Sequence, residues 1–196
     1  MVPGMDLIAV DRIALAGYAG SGKSTVARAV AAELSRTGAA WETESIAEPL
    51  RAMLAALDPI VSTDGRRWRD VVEEVGYTAA KAAYGGEGRR LLQRLGSDAL
   101  RDVLGERTLL DLFEARTAGR RVVVDDLRLP IEVDAVCAGG RGLVVWLDRH
   151  GARSDGHATE SLDPGLCTAR VSNDGPVDET VAAVLGVARS TLPNAA

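Results

Sequence analysis

The sequence predicts an α/β fold, a mostly parallel sheet flanked by helices on both faces. Three observations predict it. Short apolar runs suited to buried strands recur at residues 12–16, 121–125 and 142–147. Between them lie longer stretches whose apolar residues repeat every three or four positions, the period of a helix packed on one side. The first run leads directly into Gly17-Tyr18-Ala19-Gly20-Ser21-Gly22-Lys23-Ser24, which meets the pattern G-x-x-x-x-G-K-[ST] at every fixed position. Strands that alternate with helices pair in parallel and gather ligands at their carboxyl ends.

The elements follow in order. Residues 12–16 form a buried strand. After the glycine-rich loop, Val26, Val30 and Leu34 recur at four-residue spacing among alanines, so a helix follows, and Gly38 ends it. Residues 41–47 alternate in polarity and read as a second strand. A helical stretch starts near Pro49. Residues 58–88 are less regular, with Asp58-Pro59, Asp64-Gly65 and Gly85-Gly86 punctuating short helical pieces. Residues 89–104 are a helix and 107–118 another. Residues 121–125 are a buried strand ending in acid, and a short helix follows Pro130. Residues 142–147 are the next strand and 149–166 a mobile loop. Residues 168–172 make a last short strand, before a closing helix over 178–189. One domain is expected, with a core over 11–48 and 105–190, a helical region over about 49–104 and a lid over about 149–166.

Composition bounds the function. The chain has 196 residues, 46% hydrophobic and 26% charged, with a formal net charge of −5. No apolar run approaches a membrane span, and the first five residues lack the basic start and apolar core of a signal peptide, so a cytoplasmic protein is expected. The acidic balance argues against general nucleic-acid binding, which needs a basic face. Cys137 and Cys167 have no metal-ligand spacing and read as buried free thiols. A homodimer is left open, since no heptad or apolar stripe stands out.

Four segments carry chemistry. In the loop, the glycines let backbone N–H groups curl around an anionic phosphate while the next helix aims its positive end at the same place. Lys23 would reach the β- and γ-phosphates and Ser24 would ligate Mg²⁺, so the triphosphate-binding set runs from Gly17 through Thr25. Asp125 and Asp126 end an apolar strand, the place from which a carboxylate can hold the metal. If the strand stays extended they point to opposite sides, one to the phosphates and one to cap the next segment. On helix 89–104, Leu91, Leu92, Leu95, Ala99 and Val103 share one side, while Arg90, Arg94, Ser97 and Arg101 share the other with Gln93 at its edge. Arginines without interleaved acids repel one another, which points to a phosphate-bearing acceptor, with Asp98 and Asp102 at the flank. Arg149 and Arg153 lie in a loop suited to swinging cations onto a transferring phosphoryl group. Ser172-Asn173-Asp174-Gly175 reads as a turn that borders the nucleotide base.

In series, these segments resemble the bacteriophage-type deoxynucleoside monophosphate kinases of the P-loop kinase superfamily. The matching stretches are 17–24, Ala47-Glu48-Pro49-Leu50-Arg51, residues 90–98 with Arg101, Asp126-Leu127-Arg128 with Glu132, His157-Ala158-Thr159-Glu160 and Asn173-Asp174-Gly175. The chain departs from the family pattern at Asp98 and Thr159, where Glu and Ser are expected, and over residues 58–88. The resemblance implies the P-loop kinase three-layer sandwich with a helical monophosphate-binding insertion and a short lid. It implies transfer of the ATP γ-phosphate to a (deoxy)nucleoside monophosphate, with ATP and Mg²⁺ as cofactors. It places Arg90, Gln93 and Arg101 near the acceptor and Asp126 with Arg128 beside the reacting phosphates; Arg51 of a matching stretch and Arg94 and Ser97 of the arginine face complete the expected acceptor set. A phage origin, and so a host cytoplasm, fits the resemblance. The rivals are another small-molecule kinase, such as one acting on dephospho-coenzyme A, and a nucleotide-dependent switch. The chain lacks the N-K-x-D signature of a GTPase.

Overall fold

A computed structural model describes residues 8–153 and 162–191. Five strands form one sheet: β1 (Arg12–Ala16), β2 (Trp41–Glu44), β3 (Arg121–Val124), β4 (Gly142–Asp148) and β5 (Ala169–Ser172). Their order is β2-β3-β1-β4-β5, and every pairing is parallel. Parallel strands buried on both faces read as continuous apolar runs, as Arg12–Ala16 and Gly142–Asp148 do.

The period of two splits those runs between two layers. Ile13, Leu15, Val123, Leu143, Val145 and Leu147 pack with Val26, Val30 and Leu34 of α1 (Lys23–Ser35) and with Val181, Val184 and Leu185 of α8 (Val177–Ser190). The alternate residues Ala14, Val122, Val124, Val144 and Trp146 are equally buried, and α7 (Pro130–Cys137) packs against β1 and β4. The result is the expected α/β three-layer sandwich, with its phosphate-type loop after the central strand.

The chain divides into two compact units, one drawn from residues up to Ile46 and from Arg116 onward, the other running from Ala47 to Ala115. The sheet belongs to the first. The second is helical: α2 (Glu48–Leu57), α3 (Trp68–Ala80), α4 (Ala83–Arg94), a π-helical stretch (Leu95–Arg101), α5 (Asp102–Leu104) and most of α6 (Thr108–Thr117). Its core is Leu54, Val61, Trp68, Val71 and Ala80. Gly88 fits there because any Cβ would collide with the Trp68 ring.

Three local expectations are corrected. The second strand stops at Glu44 rather than residue 47, because Ser45 and the Ile46 N–H bond to Asp126 instead of continuing the ladder. Residues 58–88 hold a longer helix than expected, Trp68–Ala80, interrupted at Gly76 (φ 79°, ψ 156°), and Gly85 and Gly86 adopt left-handed backbone. On the expected helix 89–104, the buried stripe passes from Leu95 to Leu100, five residues on, because Leu95–Arg101 is π-helical. Ala99 and Val103 are therefore exposed. Cys137 and Cys167 are free and half-buried, and burial pushes the Cys167 thiol up to about 11.

Candidate active site

A parallel sheet sends all its strand ends to one edge. Five connections therefore leave the sheet side by side: Gly17–Gly22 after β1, Ser45–Ile46 after β2, Asp125–Arg128 after β3, Arg149–Arg153 after β4 and Asn173–Gly175 after β5.

The loop after β1 depends on its glycines. Gly17, Gly20 and Gly22 have φ of 139°, 82° and 91°, the region open to glycine. A Cβ at Gly17 would lie 2.7 Å from the Leu147 carbonyl oxygen and 2.8 Å from Ser21 Oγ; one at Gly22 would collide with Asn173 Nδ2. The Gly22 carbonyl accepts from the N–H groups of Thr25 and Val26, each at 3.0 Å, so α1 starts from the loop itself. Lys23 Nζ folds back over the loop and donates to the carbonyls of Gly17 (2.6 Å) and Tyr18 (2.9 Å). Ser24 and Thr25 are exposed on the first turn. Tyr18 stacks edge-to-face on Trp146, ring centroids 5.1 Å apart.

The loop after β4 lies against this one. Ala19 and Arg153 form an antiparallel bridge, and Arg149 Nη1 is 3.4 Å from where a Gly22 Cβ would be. The sequence-predicted arginines 149 and 153 are thus beside the phosphate-type loop. Asp148 anchors their strand end. It accepts from Arg170 Nε and Nη2, each at 2.9 Å, and from Trp146 Nε1 at 3.0 Å, and the Arg170 guanidinium holds its carboxyl below the usual carboxylate range.

Asp125 and Asp126 separate in role. Asp126 accepts from Ser45 Oγ and, at 2.8 Å, from the Ile46 N–H, so its carboxylate ties the end of β2 to the end of β3. Asp126, expected beside the reacting phosphates, is thus also a tie between two strand ends. Asp125 is partly buried. The Asp125 N–H donates to the Glu44 carbonyl at 3.1 Å, continuing the β2–β3 pairing. Arg128 is exposed, and its loop is shaped by buried Glu132, whose Oε2 accepts from the N–H groups of Arg128 (2.7 Å) and Leu129 (3.0 Å). Glu44 is committed to Arg120, at 2.8 Å.

Asn173, expected to border the nucleotide base, is 5% exposed, and its side chain is engaged by protein: Nδ2 donates to the Ser21 carbonyl (2.7 Å) and Oδ1 accepts from Thr180 Oγ1 (2.8 Å). Its neighbour Asp174 accepts from the His150 N–H at 2.6 Å. His157, Thr159 and Glu160 fall outside the described residues.

The acceptor-binding candidates belong to the second unit. Arg51 lies 5.2 Å from the centroid of the Tyr77 ring, which Lys81 also approaches, at 4.9 Å, and Arg51 pairs with Glu48 at 3.4 Å. Acids are interleaved with the arginine face after all: Glu87 accepts from Arg90 Nε at 2.9 Å and Asp98 lies 3.7 Å from Arg94 Nε. The repulsion that pointed to an anionic acceptor is therefore relieved within the helix. Gln93, Ser97 and Arg101 are partly buried on the same segment.

Ser24 and Asp125 supply hard oxygen donors, the kind Mg²⁺ takes when it arrives with a phosphate ligand. Among the described residues there is no cluster of three or more His, Cys, Asp or Glu side chains that would build an all-protein metal cage. The residues present fit Mg²⁺ shared with a phosphate. Sequence reasoning missed Ser45 and Thr180, whose roles as donors arise only across the fold. Glu132, already singled out beside Asp126-Leu127-Arg128 in the sequence, is the third residue of a helix that opens with proline.

No helix among the described residues is long and apolar enough to cross a membrane. The sequence matches no family profile and no curated protein. Solved structures do align along most of the chain. Shikimate kinase from Aquifex aeolicus aligns at 16% identity over 90% of this chain and 95% of that one, with a TM-score of 0.44. APS kinase of Mycobacterium tuberculosis in complex with AMPPNP and APS aligns at 17% identity over 93% and 99%, with a TM-score of 0.47. A gluconokinase from Sinorhizobium meliloti aligns at 20% identity over 92% and 93%, with a TM-score of 0.42.

Proposed function

We propose that the protein is an ATP-dependent phosphotransferase whose acceptor is a (deoxy)nucleoside monophosphate. The observation that carries the reading is the contact of the β4 loop with the phosphate-type loop: Arg149 approaches Gly22 and Arg153 bridges Ala19. Phosphoryl transfer is catalysed by positioning and by positive charge around the equatorial oxygens. Lysine 23 and arginines 149 and 153 meet that need.

Lys23 exchanges the Gly17 and Tyr18 carbonyls for β- and γ-phosphate oxygens, and N–H groups of the loop other than those of Ser21 and Thr25, which donate to Tyr18 and Gly22, hold the remainder of the triphosphate. Ser24 and Asp125 would hold Mg²⁺, which would supply charge neutralisation to the triphosphate. Arg149 and Arg153 draw charge from the transferring group. A monophosphate oxygen is already anionic and requires no general base. The other carboxylates at the strand ends are engaged, Asp126 by Ser45, Glu44 by Arg120 and Asp148 by Arg170. That favours a phosphate acceptor over a hydroxyl acceptor, which needs a carboxylate base. Acceptor recognition is assigned to Arg51, Arg90, Gln93, Arg94, Ser97 and Arg101, with Arg90 and Arg94 exchanging Glu87 and Asp98 for the phosphate.

The test follows ADP release with ATP and Mg²⁺ across nucleoside monophosphates, dephospho-coenzyme A and no acceptor. At least one monophosphate is expected to raise the rate well above the acceptor-free rate. Hydrolysis indifferent to every acceptor would sink the kinase reading in favour of a nucleotide switch. Stimulation by dephospho-coenzyme A alone would move the acceptor to a hydroxyl.

A further inference from the structure

The turn after β5 does something the assignment of the phosphate-type loop does not require. Asn173 sits 152 residues from Ser21 in sequence, yet its Nδ2 donates to the Ser21 carbonyl at 2.7 Å inside the protein. A carbonyl only accepts, so the amide face toward Ser21 must be the NH₂ face. Thr180 Oγ1, 2% exposed on α8, donates to Asn173 Oδ1 at 2.8 Å and holds the amide in that orientation. The Asn173 N–H is tied to the Asp148 carbonyl at 2.7 Å, fixing the residue to the end of β4.

Peptide geometry gives this bond a consequence. In a trans peptide the C=O and the following N–H point in opposite directions, and no described peptide bond is cis. A Ser21 carbonyl held toward Asn173 therefore turns the Gly22 N–H the other way, away from Asn173. Without that hold, the Ser21–Gly22 peptide is flanked by a glycine at φ 91° with wide freedom to rotate. We infer that Asn173, oriented by Thr180, is a positioning residue that sets the direction of the Gly22 N–H for phosphate binding. Asn173 touches no phosphate itself. The inference rests on the triphosphate reading of the loop.

The test is calorimetric titration of the full chain with AMPPNP and Mg²⁺, alongside thermal melts of the ligand-free proteins. Asn173→Asp keeps the shape but sets a carboxylate oxygen against the Ser21 carbonyl; a tenfold or greater rise in Kd is expected. Thr180→Val keeps Asn173 and removes only the hydroxyl that orients it. Its Kd is expected to rise about threefold, with a melting temperature within a few degrees of the parent. Steady-state KM for ATP is expected to rise in both while KM for the acceptor holds. Unchanged AMPPNP affinity in Thr180→Val and Asn173→Asp overturns the inference. Affinity lost only in proportion to a falling ligand-free melting temperature, with both KM values moving together, overturns it as a merely structural effect. If Asn173→Asp does not fold, Thr180→Val alone decides. Failure of the parent protein to bind AMPPNP is a separate result, which removes the triphosphate reading itself.

Discussion

Lys23 holds two carbonyls of its own loop, and at the residue scale this separates its structural from its chemical share. Both acceptors are backbone oxygens in a half-exposed loop that water can satisfy, so truncation costs little folding energy. Lys23→Ala is expected to lower turnover by about 10²–10³-fold, the usual loss for one donor aimed at developing charge. A thermal melt should shift by no more than about 2–4 °C, the equivalent of one kcal/mol in a chain of this size. Near-normal turnover would rule out the role assigned to Lys23. The loop's glycines were legible because a motif encodes them, and the structure adds why two resist replacement: the Leu147 carbonyl stands against Gly17 and the Asn173 amide against Gly22. Neither neighbour is near in sequence, so no local pattern could name it.

At the scale of elements, the end of β3 holds the clearest division of labour. Asp125 and Asp126 look equivalent in sequence, and pairing across the sheet distinguishes them. Asp126→Ala leaves Ser45 Oγ and the Ile46 N–H without their acceptor, a loss of about 1–3 kcal/mol. It is expected to lower the melting temperature and leave the Mg²⁺ dependence of turnover in place. Asp125→Asn is expected to raise the Mg²⁺ concentration for half-maximal rate about tenfold or more. A Mg²⁺ titration of both variants checks this, and the opposite pattern would return the metal to Asp126. The helix after Ala83 shows the limit of periodicity. A 3.6-residue count carries the stripe from Leu95 to Ala99, whereas the π-helical stretch carries it to Leu100. Glu87 and Asp98 reach Arg90 and Arg94 because pairs three and four residues apart meet on a helix, a spacing already present in the sequence.

For the molecule as a whole, Asp148 gives stability a pH dependence whose sign is fixed. The Arg170 guanidinium lowers the Asp148 carboxyl below its ordinary value, so the pair's contribution is present above that value, about 3.9. It is lost as pH falls through the lowered native value. The pair is exposed, so the effect is small. Asp148→Asn is expected to melt slightly below the parent at neutral pH, with the two curves converging as pH falls below the ordinary carboxylate value. Curves that stay parallel to low pH would contradict the assignment. The sequence by itself determined the three-layer fold, the strand order of appearance and the phosphate-type loop. Those are written in local periods of two and 3.6 and in glycines placed for one backbone shape. Only the tertiary structure decided that Asp126 ties two strands, that Asn173 and Thr180 stand behind the loop, and that Arg149 lies over Gly22. Each of these joins residues far apart in the chain through a parallel sheet, and a hydrogen bond across such a distance leaves no trace in local spacing.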